Sequence, residues 1–123
     1  IGEILANSIA LSTISPLVLA WLIAALVRVT QGSATVAMIT AAGIIAPVIQ
    51  VIGMEEMQRA LIVIAIASGA TILSHVNDSG FWLVNKYLGL TEKQTLQSWT
   101  VMETIISLAG FTFAMIIWMA DIL

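Results

Sequence analysis

Ser74-His75-Val76-Asn77-Asp78-Ser79-Gly80-Phe81-Trp82 is a polar island set directly behind an almost wholly apolar run, Ala60 to Leu73. From Ser74 to Gly80 every residue except Val76 carries a hydrogen-bonding side chain or, at Gly80, no side chain at all. A helix crossing lipid cannot leave its N–H and C=O groups unpaired, so irregular backbone at membrane depth survives only inside protein or beside water. Ionisable groups held there are expensive and mark ion or substrate pathways. The island therefore reads as the joint of a broken helix and as the binding region of a membrane transporter, with the other segments arranged around it.

Composition sets the same class. Of the 123 residues 60% are hydrophobic and 9% charged, and mean hydropathy is +1.08; a soluble domain carries about 25% charged residues. There is no cysteine, hence no disulfide framework, cysteine zinc site or thiol nucleophile. A net charge of -3, spread over four basic and seven acidic residues, excludes a nucleic-acid surface. No metal-ligand cluster, phosphate loop or nucleophile–base arrangement is visible, so neither metal, cofactor nor enzyme chemistry is expected. The chain starts at Ile1 without a basic n-region or a cleavage site. It reads as the C-terminal piece of a longer carrier, whose N-terminal half is an expected partner because transporter sites usually lie between two repeated halves.

Outward from the island, the segments divide as follows. Residues 1–15 mix apolar side chains with Glu3, Asn7, Ser8 and Ser12 and predict an interfacial or span-end segment. Residues 16–52 predict a helical hairpin. Ser15-Pro16 is an N-cap followed by proline at the first helical position, and Pro16 to Val27 is twelve residues long, short of the ~30 Å hydrocarbon core. Arg28 and Thr30-Gln31-Gly32-Ser33 then make a polar tip before the small-residue-rich run Ala34 to Ile52. The tip is expected at membrane depth, as in a re-entrant hairpin; two plain spans joined by a polar turn are the alternative. Residues 57–90 predict the broken helix, introduced by the acidic pair Glu55-Glu56. Thr91 with Gln94 has the form of a capping box, and residues 92–123 predict the final transmembrane helix, with Trp99 and Trp118 expected in the interfacial belts. The lysines of the Asn85 to Lys93 loop place that loop in the cytoplasm by the positive-inside bias.

Several residues carry chemistry. Gly32, Ser33 and Thr35 open the second hairpin arm, where free N–H groups and hydroxyls suit a carboxylate; a capped turn explains the same residues. Asn77, Asp78 and Ser79 suit a polyhydroxylated substrate or proton exchange at Asp78, and Asp78 or Ser79 also suits the cap of the half-helix that follows. His75, the sole histidine, stands three residues from Asp78, a proton pair if helix persists there and a structural residue otherwise. Glu103 shares one helical face with Thr100, Thr104, Ser107, Gly110 and Ala114, so it points into the bundle as a proton carrier or pairs with Arg28 or His75. Arg28 is a counter-charge for an anionic substrate or a snorkelling side chain.

Three stretches carry a family resemblance. Gly32-Ser33-Ala34-Thr35-Val36-Ala37, then Ser74 to Trp82, then Ser98-Trp99-Thr100-Val101-Met102-Glu103-Thr104-Ile105-Ile106-Ser107 resemble the C-terminal part of the gluconate permease family (GntP), in order and spacing. The resemblance implies a proton-coupled symporter for gluconate or a related small hydroxy acid, multi-pass in the bacterial inner membrane, of the ion-transporter superfamily. Relatives that carry D-serine keep the substrate open, and sodium coupling is a variant of the same fold. A homo-oligomer is compatible with either. The reading is thus an all-α polytopic membrane protein with a helical hairpin, a broken helix and a final transmembrane helix. Its rival is a structural or assembly subunit in which hairpin and island merely pack, without solvent access.

Overall fold

The computed structural model describes Ile4, Asn7, Ser8 and residues 14–122, so the expected interfacial segment over 1–15 lies almost entirely outside the described residues. Helices make up the architecture, and no strand occurs among the described residues. α1 (Pro16–Gln31) begins with proline at the first position, where a missing N–H costs nothing. Ser15 precedes it, but its hydroxyl makes no capping bond, and its buried Oγ has no partner among the described residues. α1 ends at Gly32, whose φ of 73° lets its N–H close on the Arg28 carbonyl at 2.8 Å. Ser33 then caps α2 (Ala34–Ile52) by accepting from the Val36 N–H at 3.3 Å.

α3 (Glu56–Thr71) opens with a reciprocal cap between Glu55 and Gln58. It is the central helix, packed against α1, α2 and the last helix. The core is built from one face of each partner: Leu17, Ala20 and Ala24 of α1, Ala37, Ala41 and Ile45 of α2, and Leu61, Ile62 and Ala65 of α3, all at or below 2% exposure. Spacings of three and four residues make each set a single helical stripe. Alanine predominates because lipid supplies no hydrophobic drive between helices, so backbones must approach closely for dispersion to act. Gly69 shows the limit: a Cβ there would sit 2.4 Å from the Trp21 carbonyl oxygen. Gly110 does the same for the last helix, where a Cβ would lie 2.6 Å from Ser68 Oγ.

α3 stops at Ile72, and the chain turns through Leu73, a non-glycine residue at φ 48°. After the joint, α4 (Ser79–Tyr87) is capped by Asp78. α5 (Glu92–Thr95) follows a Thr91–Gln94 capping box and runs through a π-helical turn, Leu96–Thr100, into α6 (Val101–Ile122). Together these make a continuous apolar helix, Glu92–Asp121, of 30 residues. Its inward face is the expected one: Thr100, Ser107 and Ala114 are buried and Glu103, Thr104 and Gly110 half-buried. Trp118 departs from expectation. At 8% exposure it packs in the core instead of standing in an interfacial belt. Ile39, Val63, Ile105 and Phe113, each more than 60% exposed, lie on the outer surface, which is apolar as a membrane protein requires.

Candidate functional site

The hairpin tip and the polar joint meet. Arg28, in the last turn of α1, is 4% exposed and so does not snorkel. Its Nη1 donates to the Gly32 carbonyl at 2.6 Å and its Nη2 to Asp78 Oδ2 at 2.5 Å. Asn77 Nδ2 donates to the Val29 carbonyl at 2.9 Å, adding a second polar tie. Gly32 supplies the close approach between them: a Cβ there would fall 2.2 Å from the Asn77 carbonyl oxygen. Glycine is thus required twice at this position, by its left-handed φ and by the space.

Asp78 is held from three sides. Its Oδ1 accepts from the Gly80 N–H at 3.0 Å, the capping bond of α4. Its Oδ2 accepts from Arg28 and from the hydroxyl of Ser74. Ser74 is 1% exposed and passes the network on to the last helix. Its Oγ accepts from Trp99 Nε1 at 2.8 Å, and its carbonyl accepts from the Thr100 hydroxyl. The π-helical turn is what sets Trp99 and Thr100 together on Ser74, and such turns recur at functional sites. Trp82 Nε1 donates to the Val76 carbonyl at 2.8 Å, and Asn85 Nδ2 ties α4 to Leu90 and Thr95.

A buried ion pair has to recover the cost of desolvating both ions, and it does so only when further hydrogen bonds satisfy them. Asp78 meets that condition with three donors. Arg28 meets it incompletely, because its Nε–H is buried and has no partner among the described residues. Losing one member of such a pair typically costs about 3–5 kcal/mol, since the other charge stays buried alone.

The remaining expected residues are less tightly engaged. Ser33 is half-buried at its cap, while Thr35 and Ser79 are exposed in this chain. His75 places Nδ1 2.7 Å from the Leu73 carbonyl oxygen. No hydrogen bond joins its ring to the Asp78 carboxylate, because α3 has already ended and the pair does not share a helical face. Glu103 is half-buried, within Coulombic range of both Arg28 and Asp78, and makes no side-chain hydrogen bond among the described residues. Arg28 pairs with Asp78, a partner not foreseen for it. Ser74, Trp99 and Thr100 also join the network, although none of them stood out as a site residue. Ser74 opens the polar island, but with α3 already ended no helical spacing links it to Asp78, and the π-helical turn has no signal in the local sequence. An apolar cleft of about 300 Å³ lies beyond Trp99, lined by Val84, Leu88, Ser98 and Met102, and offers little to a polyhydroxylated anion.

Residues 1–120 match the model of the GntP family permease. The chain is 46% identical to a gluconate permease of Pseudomonas aeruginosa over 95% of its length and 26% of the relative's. It is 54% identical to the high-affinity gluconate transporter of Escherichia coli over 80% of this chain and 22% of that one. It is 47% identical to the Gnt-II system L-idonate transporter of the same organism, over 89% of this chain and 24% of that one. The chain thus spans about a quarter of the length of the curated relatives it matches. No solved structure matches it significantly. With an all-α membrane architecture, a polar joint clasped by a hairpin tip and a family match over nearly its whole length, the chain belongs to the GntP family of permeases.

Proposed function

We propose that this segment forms the substrate-binding and coupling region of a multi-pass proton symporter for gluconate, or a related small hydroxy acid, in the bacterial inner membrane. The buried Arg28–Asp78 pair carries the reading. It joins the hairpin tip to the joint of the broken helix, and it is the one ion pair among the described residues. Charge at membrane depth is retained where it serves transport. The names of the relatives, gluconate permease and L-idonate transporter, supply the substrate class.

α1 supports a re-entrant hairpin, because its 16 residues rise only about 24 Å against the ~30 Å hydrocarbon core. In this reading Gly32, Ser33 and Thr35 on the tip and Asn77 and Ser79 on the joint face the sugar-acid hydroxyls. Asp78, Glu103 and His75 are the groups from which the coupling proton carrier is drawn. The N-terminal part of the transporter, as in other carriers, closes the site from the opposite side.

The test is uptake of labelled gluconate into proteoliposomes holding the whole transporter that contains this segment, with and without an inward-directed proton gradient. The expected result is gradient-dependent accumulation that other hydroxy acids compete away. Accumulation driven by a sodium gradient alone would replace the proton as coupling ion. Failure of gluconate and L-idonate under both gradients, with D-serine taken up, would remove the sugar acid.

A further inference from the structure

We infer that Arg28 is the seat of the transported carboxylate, that Asp78 occupies that seat when the site is empty, and that a proton on Asp78 releases it. The inference rests on the symporter reading above and specifies how its two ligands are coupled.

The geometry of the pair is that of an incompletely used fork. A guanidinium binds a carboxylate best along one edge, with two parallel N–H donors reaching two oxygens. Asp78 instead gives Arg28 a single oxygen, Oδ2, at Nη2, and turns Oδ1 away to the Gly80 N–H. The Nε–H on the same edge as Nη2 is buried and has no partner among the described residues. A substrate carboxylate would use both donors, whereas Asp78 cannot do so while it caps α4.

Charge balance makes the proton obligatory. In the empty state one guanidinium faces one carboxylate, and the pair is neutral. If the substrate anion joined an ionised Asp78, two carboxylates would share one buried cation, and like charges at such a site cannot both remain ionised. A proton taken up on Asp78 Oδ2 restores neutrality: guanidinium with substrate carboxylate, beside a neutral carboxylic acid. No covalent bond is made or broken except that O–H bond, which opens again when the proton leaves. Asp78 keeps its place meanwhile, since Oδ1 still accepts from Gly80 and Ser74 still flanks Oδ2.

The charged groups around Asp78 are few. Arg28 pairs with it from α1, and Glu103 on α6 lies within Coulombic range. His75 stands in the joint with its ring turned to Leu73. α2 has no titratable side chain. Glu56 and Arg59 lie at the opposite end of α3, and Lys86, Glu92 and Lys93 are exposed on the far side of α4 and on α5.

Equilibrium binding of labelled gluconate to the purified whole transporter, followed from mildly acid to mildly alkaline pH, tests the exchange. If only the protonated site is competent, the apparent Kd rises about tenfold per pH unit on the alkaline limb. Asp78→Asn, a neutral acid mimic, should flatten that slope and bind more tightly than the native protein at alkaline pH. Arg28→Gln placed on Asp78→Asn leaves no orphan charge, so the fold is spared, and it should weaken binding more than tenfold relative to Asp78→Asn alone. The exchange is overturned if Asp78→Asn keeps the native slope, if the double variant binds as well as Asp78→Asn, or if the slope disappears only in Glu103→Gln. Native transporter that binds no gluconate at any pH would overturn the symporter reading and the exchange with it, an outcome distinct from binding with an unaltered slope.

Discussion

Ser74 is where the joint, the hairpin tip and the last helix are tied together, through its hydroxyl to Asp78 and Trp99 and through its carbonyl to Thr100. Ser74→Ala leaves the Trp99 indole N–H without its acceptor, and an unsatisfied buried donor costs about 1–3 kcal/mol. The measurable consequence is a lower Tm of the detergent-solubilised transporter; an unchanged Tm would mean that Ser74 ties nothing. Gly32 and Gly53 offer a matched comparison, because both hold positive φ (73° and 68°) but only Gly32 is crowded, Gly53 having nothing within 4 Å. Alanine at Gly53 should cost only the left-handed strain of about 1–2 kcal/mol. Alanine at Gly32 must also push back the Asn77 carbonyl, so its Tm should fall further and uptake should be lost while membrane insertion persists. At this scale the sequence exposed the ionisable residues, since Arg28, Asp78 and Glu103 stand out in apolar surroundings. It did not expose their pairing, because Arg28 and Asp78 are separated by fifty positions and local spacing carries no information about a contact made by tertiary packing.

The helices themselves follow from rules that act locally. Apolar run lengths, the proline at the start of α1 and the Thr91–Gln94 box are all readable in the chain, and so is the interruption between α3 and α4, where polar residues replace apolar ones. The π-helical turn at Leu96–Thr100 is different: its sequence, LQSWT, would continue an α-helix equally well. Its role is to bring Trp99 and Thr100 onto Ser74, which only the folded bundle requires. Deleting the exposed Gln97 should remove the extra residue of the turn and restore α-helical winding, which takes the Trp99 and Thr100 donors out of register with Ser74. Uptake should then fall more than tenfold with the protein still in the membrane, as checked by transport and by membrane fractionation of the same cells. The belt expectation departs from the structure at Trp118 for a related reason. Trp118 lies near a helix end as belt residues do, but α6 packs along α3, and Trp118 fills the end of that interface.

The whole segment is a bundle whose inner surface is small and polar at one level and whose outer surface is apolar. Composition was sufficient for that class: a chain with 9% charged residues cannot clothe a water-facing surface. The membrane depth proposed for the hairpin tip, argued from the shortness of α1, makes a prediction for the molecule as a whole. A single cysteine at exposed Ser79 in the cysteine-free chain should react with a membrane-impermeant, water-soluble maleimide, and gluconate should slow the reaction. No labelling from either side of the membrane would favour a scaffold in which tip and joint only pack. Proton and hydroxy acid are proposed to enter one site together, which proton flux recorded beside gluconate flux in the same proteoliposomes will test. Gluconate-dependent proton entry is expected in the native transporter, and gluconate exchange without net proton movement in Asp78→Asn. Gluconate entry with no accompanying proton in the native protein, or undiminished proton entry in Asp78→Asn, would contradict it.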